Sequence, residues 1–133
     1  YLKMGRKIQL HGGGHAVKSF VNIKDIARGI YMTIDLKKYG LYHLSSNDGG
    51  WEIRDVVKLI CDKMGRNFDD SIIEVGDRVG QDERYWIDIS KAKKELNWEP
   101  KIKFEDGIEE VKKWINDNWA KIKDMPLEYI HSK

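Results

Sequence analysis

The run Asp77-Arg78-Val79-Gly80-Gln81-Asp82-Glu83-Arg84-Tyr85-Trp86-Ile87-Asp88 crowds two arginines, a glutamine and four carboxylates around one glycine, then turns apolar. Two guanidiniums in so short a loop can grip a phosphate group in bidentate fashion, which a lysine cannot do. The competing reading is that Asp77, Asp82 and Glu83 pair with Arg78 and Arg84 as surface ion pairs, which contribute little to stability. Spacing alone leaves both open. The segment that follows, Ser90 to Pro100, reads as a short helix. Asp88 or Ser90 can cap it, Leu96 is its last apolar residue, and Asn97 suits a left-handed C-cap. Pro100 blocks its continuation.

Upstream, Ser71-Ile72-Ile73-Glu74-Val75 is a strand that feeds this loop. Ile53, Val56, Val57, Ile60 and Met64 recur at helical spacing, so Ile53 to Met64 is a helix with Gly65 past its end. Ser45 to Gly50 is rich in turn formers, and Leu41-Tyr42-His43-Leu44 before it reads as a short strand. Asp25 to Leu36 is a helix capped by Asn22 or Asp25, with Ile26, Ile30, Met32, Thr33 and Ile34 on a broad apolar face. Lys7 to His11 alternates polar and apolar residues, and Ala16 to Ile23 resumes that pattern after Gly12-Gly13-Gly14. Strand, glycine turn, strand predicts a β-hairpin. Downstream, Phe104 begins a last helix with Ile108, Val111, Ile115, Trp119 and Ile122 on one side, and the chain becomes irregular over 120–133. The expected fold is α/β, a small mixed sheet covered by helices, in one domain spanning 1–133.

Composition narrows the function classes. Of 133 residues, 41% are hydrophobic and 35% charged, enough for a packed core under a well-solvated surface. Five Trp and six Tyr argue against disorder. A net charge of +2 does not point to a bulk polyanion. Lys91, Lys93, Lys94, Lys112 and Lys113 alternate with acids along helices and read as solvated faces, so no nucleic-acid partner is expected. No apolar run is long enough to span a bilayer, so no membrane partner is expected. Cys61 is the only cysteine. It suits a buried position on a helix and a reducing, cytoplasmic setting. Tyr1-Leu2-Lys3-Met4-Gly5 resembles the end of a helix with its glycine stop, which suggests a piece of a longer polypeptide.

Several residues invite chemical readings. His11-Gly12-Gly13-Gly14-His15 has no evident third ligand for a metal, no Gly-x-Ser-x-Gly partner for an esterase, and no helix directly after it for a dinucleotide. A glycine-rich hairpin turn is the simpler reading. Lys18 is either a solvated strand residue or an anion contact. Trp51, beside Gly49 and Gly50, is a stacking platform for a base or sugar, or an anchor for its loop. Gln81 and Arg84 share the arginine-rich loop with Arg78. No nucleophile, base and acid set is recognisable. Tyr1, Tyr31, Tyr39 and Tyr42 have no lysine four residues on. Taken alone, the chain reads as a binding domain and not as a catalytic one.

The order of several segments resembles one family. Gly12-x-Gly14 with Val17-Lys18-Ser19-Phe20-Val21-Asn22-Ile23-Lys24-Asp25-Ile26-Ala27 is similar to a block of the NAD-dependent nucleotide-sugar epimerases and dehydratases, the extended short-chain dehydrogenase/reductases. Tyr42-His43-Leu44 resembles their next strand. Asp77-Arg78-Val79-Gly80-Gln81-Asp82 with Tyr85 and Asp88 resembles their Asp-Arg-Pro-Gly-His-Asp signature. Glu95-Leu96-Asn97-Trp98-Glu99-Pro100 is similar to their Leu-Gly-Trp-x-Pro ending, and Gly107-Ile108 with Trp114 matches their final helix. Three positions depart from the pattern. Lys18 stands where Arg is usual, Val79 replaces Pro, and Gln81 stands where His is common.

The resemblance runs from about Lys7 to Trp119 and covers the carboxy-terminal, substrate-binding lobe of such enzymes, with sugar 4,6-dehydratases nearest. It implies a nucleoside-diphosphate sugar as ligand. Lys18 and Arg78 would bear on the diphosphate, Gln81 and Arg84 would assist, and Trp51 would meet base or sugar. No catalytic residue is expected here. NAD and the Tyr-x-x-x-Lys pair would belong to an amino-terminal Rossmann half outside this sequence, and the full-length enzyme would be a homodimer. The rival expectation is a stand-alone nucleotide-sugar-binding or regulatory module without catalysis.

Overall fold

The computed structural model describes residues 1–34, 36 and 39–127. A single 3-10 turn, Leu2–Met4, leads into strand β1, Ile8–His11. The glycines Gly12–Gly14 form a second 3-10 turn before strand β2, Val17–Lys18. Helix α1 spans Ile23–Thr33, with Asn22 as its cap. The Asn22 side chain accepts the Lys24 N–H at 2.9 Å. Strand β3, Trp51–Glu52, runs straight into helix α2, Ile53–Lys63. A four-residue helix α3, Phe68–Ser71, precedes strand β4, Ile72–Val75. Helices α4, Ser90–Leu96, α5, Phe104–Asp117, and α6, Trp119–Ile122, complete the order.

The architecture is mixed α/β, as expected, but the strands form two small sheets and not one. β1 pairs in parallel with β4, with Ile8 opposite Ile72 and His11 opposite Val75. β2 pairs antiparallel with β3, with Lys18 opposite Trp51. The predicted hairpin is therefore absent: the glycine turn carries the chain from one sheet to the other. Gly12, Gly13 and Gly14 all have positive φ. They supply a sharp change of direction that a two-residue hairpin turn does not need.

Four further differences have local causes. Leu41 to Leu44 is not a strand among the described residues, because no neighbouring backbone there supplies its ladder. α1 ends at Thr33, before Leu36. The last helix breaks at Asn118, whose side-chain amide donates to the Trp114 carbonyl at 2.9 Å. The irregular stretch thus begins after Ile122, and residues 128–133 lie outside the described residues. α3 was not expected from periodicity. It is one turn long, and its signal is only the Asn67 side chain accepting the Asp70 N–H at 3.1 Å.

Two hydrophobic clusters hold these elements. Leu2, Leu10, Val57, Cys61 and Ile72 form the first, beneath α2 and the β1–β4 pair. Cys61 is fully buried, as its helical position predicts. Ile89, Ala92, Leu96 and Trp98 form the second, with Val21, Met32, Tyr42 and Leu44 against it. Asn97 adopts the left-handed conformation anticipated for it, φ 51°, which turns the chain so that Trp98 enters this cluster.

Trp98 is completely buried, and its indole N–H donates to the Asp25 carbonyl at 2.9 Å. The Asp25 carboxylate, 2% exposed, accepts the backbone N–H groups of Lys101 and Ile102, each at 2.9 Å. Its other oxygen accepts from Arg28 at 2.8 Å. Burial pushes the Asp25 carboxyl up, but the Arg28 bond and the two backbone donors outweigh it and hold the group below its usual value.

Two predictions test this node. Removing one partner of a buried ion pair costs about 3–5 kcal/mol, so Asp25→Ala should lower the thermal midpoint by well over ten degrees. The lowered value also fixes the sign with pH. The contribution is fully present above the unfolded carboxyl value, about 4. It is lost as pH falls through the folded value, so melting scans should show the parent losing its advantage over Asp25→Asn below about pH 4. Separately, Gly29→Ala would gain about 1 kcal/mol of helix propensity at an open site. Here the added Cβ would lie 2.5 Å from Leu44 Cδ1 and 2.8 Å from the Trp98 indole nitrogen. Overpacking costs about 1–3 kcal/mol, so denaturant titration should show a net loss.

Candidate substrate-binding site

Three of the five candidate residues meet at the β2–β3 pair. Lys18 and Trp51 are directly opposed, so their side chains share one face of the ribbon. Gly50, next to Trp51, sits so close to β2 that a Cβ would lie 2.9 Å from Val17 Cγ1 and 3.1 Å from the Lys18 carbonyl oxygen. Arg84 joins from the arginine-rich loop through a parallel bridge with Val17. The Val17 N–H donates to Glu83 at 2.7 Å, and the Tyr85 N–H donates to Val17 at 3.1 Å. The Arg84 guanidinium reaches the Gly49 carbonyl at 3.3 Å and lies 5.4 Å from the Trp86 ring.

Arg78 and Gln81 stand farther out in the same loop. Residues 76–86 are all exposed. The Gln81 N–H closes a turn onto the Arg78 carbonyl at 3.3 Å. Lys18 Nζ ties the loop back by donating to the Asp82 carbonyl at 2.7 Å. Among the described residues no ion pair joins Arg78 or Arg84 to Asp77, Asp82 or Glu83, so the surface-pair reading fails. Asp77 instead accepts the backbone N–H of the adjacent Arg78 at 2.8 Å. Its carboxyl carbon lies 2.6 Å from where a Gly12 Cβ would be.

Trp51 has two anchors. Its ring packs on Phe104, centroids 4.8 Å apart, and Phe104 packs in turn on Phe20 at 5.0 Å. Its indole N–H donates to Asp48 at 3.2 Å. A cavity of about 400 Å³ opens here, walled by Phe20, Trp51 and Phe104 with Asp48, Glu99 and Lys101 at its polar edge. Of the five candidates only Trp51 lines it.

Asp48 is the residue that reading the sequence passes over. Besides Trp51, its carboxylate accepts the Ser46 hydroxyl at 2.9 Å and the Gly50 N–H at 3.1 Å. Burial pushes its carboxyl up, but the Ser46, Gly50 and Trp51 bonds outweigh it and hold it below its usual value. The signal was an Asp two residues before a glycine, the pattern of a side-chain-closed turn.

The other candidates resolve differently. His11 Nδ1 lies 3.2 Å from the Gly76 carbonyl, and His15 pairs with Glu52 at 3.5 Å. Among the described residues no three His, Cys, Asp or Glu side chains could hold a metal. The helical lysines serve local partners: Lys93 pairs with Glu99 at 3.1 Å and Lys113 with Asp117 at 2.5 Å. Among the described residues no helix is long and apolar enough to cross a membrane. Tyr129 and Lys133 do have Tyr-x-x-x-Lys spacing, but they lie outside the described residues.

Comparison with known proteins bears on the family of the chain. The family model for GDP-mannose 4,6-dehydratase matches residues 2–111. The dTDP-glucose 4,6-dehydratase of Shigella flexneri is 32% identical over 125 residues, 87% of this chain and 34% of that protein. The enzyme of the same name from Mycobacterium tuberculosis strain H37Rv is 34% identical over 124 residues, 90% of this chain and 37% of that protein. Among solved structures, dTDP-glucose 4,6-dehydratase from Bacillus anthracis in complex with NAD superposes with a TM-score of 0.84 at 29% identity, over 94% of this chain and 39% of that one. The extended short-chain dehydrogenase/reductase fold is thus the class, and the chain belongs to the GDP-mannose 4,6-dehydratase family of NAD-dependent epimerases and dehydratases. It spans about a third of the length of the curated relatives it matches.

The Asp48 knot yields a prediction. Asp48→Ala strands the Trp51 and Gly50 donors, each worth about 1 kcal/mol. The indole N–H resonance of Trp51, identified with Trp51→Phe, should move and broaden while the rest of the spectrum stays in place.

Proposed function

We propose that this chain is the substrate-binding part of a nucleoside-diphosphate-hexose 4,6-dehydratase and that its arginine-rich loop grips the diphosphate. One observation carries the reading. The register of β2 and β3 sets Lys18 beside Trp51, and the bridge to Val17 brings Arg84 to the same end, while Arg78 points no charge at a carboxylate of its own loop. Cations held on backbone rails without internal counter-ions suit an anionic ligand. The dTDP-glucose 4,6-dehydratase of Streptomyces venezuelae, solved with NAD and TYD bound, superposes at a TM-score of 0.81 and 30% identity.

Each residue has a distinct task. Arg78 and Arg84 present planar donors to phosphate oxygens. Lys18 leaves the Asp82 carbonyl to supply a point charge, a weaker grip than the arginine usual in the family. Gln81 adds a neutral donor at the loop tip. Trp51 offers an aromatic wall to base or sugar, held by Asp48 and Phe104.

The Gly12–Gly14 turn does not fit NAD. The glycine turn Gly12–Gly14 opens onto β2 and not onto a helix, and Asp77 sets a carboxylate against Gly12. A pyrophosphate would meet negative charge there. On this reading NAD and the reacting groups would fall to a Rossmann lobe of the same enzyme. That enzyme would work in the cytoplasm as a homodimer.

The test uses the polypeptide that carries both lobes. A charge-assisted hydrogen bond contributes about 1.5–3 kcal/mol, so Arg78→Ala should raise the Michaelis constant for the nucleotide sugar about tenfold or more. The NAD dissociation constant should stay unchanged. Equal loss of both would mark Arg78 as structural and remove the basis of this reading.

A further inference from the structure

Arg54 is the second residue of α2, at the end where the helix dipole opposes a positive charge. What offsets that comes from other elements. Arg54 Nη1 donates to the Gly13 carbonyl at 3.1 Å and to the Glu74 carboxylate at 2.8 Å. The guanidinium carbon lies 5.0 Å from the centre of the Phe68 ring. The backbone is engaged too. A Cβ on Gly14 would lie 2.9 Å from the Arg54 backbone nitrogen, so the glycine turn rests directly on the start of α2. Stability alone does not account for the ion pair. The Arg54 side chain is 28% exposed and that of Glu74 60%, and pairs so open to water contribute little.

Gly13 and Glu74 stand on the two backbone routes into the candidate site. From Gly13 the chain passes through Ala16 to β2, which carries Lys18 and, through the bridge from Val17, holds Arg84. From Glu74 it passes through Gly76 and Asp77 into the loop that carries Arg78 and Gln81. The routes arrive side by side, with Leu10 opposite Glu74 and His11 opposite Val75. Beyond that pair the β1–β4 ladder stops, and the three left-handed glycines turn one route away from the other. Their relative placement then depends on ties between them. Arg54 supplies one that touches both. The N–H groups of a guanidinium diverge at fixed angles, so two acceptors on one nitrogen are held at a set spacing.

We infer that Arg54 is a positioning residue for the nucleotide-sugar site. By holding the Gly13 carbonyl and the Glu74 carboxylate it sets the separation of Lys18 from Arg78, and it touches no substrate itself. The inference rests on the proposed function, which supplies the diphosphate that these cations meet, and goes beyond it by naming what spaces them. Spacing matters because hydrogen bonds to phosphate oxygens weaken steeply once distance or angle is lost.

The polypeptide that carries both lobes tests this, with dTDP-glucose, the nucleotide sugar in the relatives' names, as probe. Arg54→Met keeps an apolar stem beside Phe68 and removes both donors. It should raise the Michaelis constant about fivefold, with kcat and the NAD dissociation constant unchanged. Arg54→Lys, which can still donate to both acceptors, should recover most of that loss. Glu74→Ala, at an exposed position, carries the same test without risk to the fold and should raise the constant about threefold. In a Lys18→Met, Arg78→Ala background, Arg54→Met should add less than about twofold, because the groups it spaces are gone. A full fivefold rise in that background, or a parallel loss of kcat and NAD affinity, marks Arg54 as merely structural and overturns the inference. So does an unchanged Michaelis constant in Arg54→Met and Glu74→Ala when Arg78→Ala raises it. If Arg78→Ala itself has no effect, the proposed function falls and this inference with it.

Discussion

The Asp25 carboxylate is the constraint on which the rest of the structure depends. It sits in the first turn of α1, where a negative charge is favoured by the helix dipole. From there it accepts the backbone of Lys101 and Ile102 and the side chain of Arg28. The adjacent Asp25 carbonyl takes the Trp98 indole proton. One residue thus fixes the path between α4 and α5. That path sets Phe104, Phe104 sets Trp51, and Trp51 faces Lys18 across the ribbon. A buried carboxylate with all its donors in place is stable only as a complete set, because each missing donor leaves a desolvated charge behind.

The candidate site divides into a rigid inner part and an open outer part. Asp48 knots the loop behind Trp51 with three hydrogen bonds, so the aromatic wall is ordered before any ligand arrives. Arg78 and Gln81 stand in solvent on a loop held by a few backbone bonds and by Lys18. On the proposed function such a division would suit a clamp. The wall would lower the entropy cost of positioning a ligand, while the exposed loop would be free to close over phosphate oxygens. Val79, where the family usually has proline, removes a φ restraint from this loop and adds to that freedom.

Much of the fold was legible where the signal is local. The helix periodicity of Ile53 to Met64, the Asn22 cap and the left-handed Asn97 all depend on residues within a turn or two of each other, and each holds. The hairpin failed because a strand's partner is not a local property. Lys7–His11 and Ala16–Ile23 alternate as strands do, but alternation names a face and not a neighbour. Ile72–Val75 and Trp51–Glu52 won those pairings. Leu41–Leu44 illustrates the same point from the other side: the pattern is there, and among the described residues no strand pairs with it.

Of the candidate site, the arginine-rich loop and Lys18 and Trp51 are proposed from residue type and order. Asp48 could not be named that way, because its importance lies in three donors converging on it, and convergence is geometric. What the sequence by itself determined is the inventory: which segments curl, which extend, where cations gather and where the chain must turn. Only the tertiary structure decided which of those pieces meet. Helical periodicity and caps are set by covalent geometry and neighbouring side chains. Strand pairing and the burial of Asp25 are set by competition among distant segments for the same space.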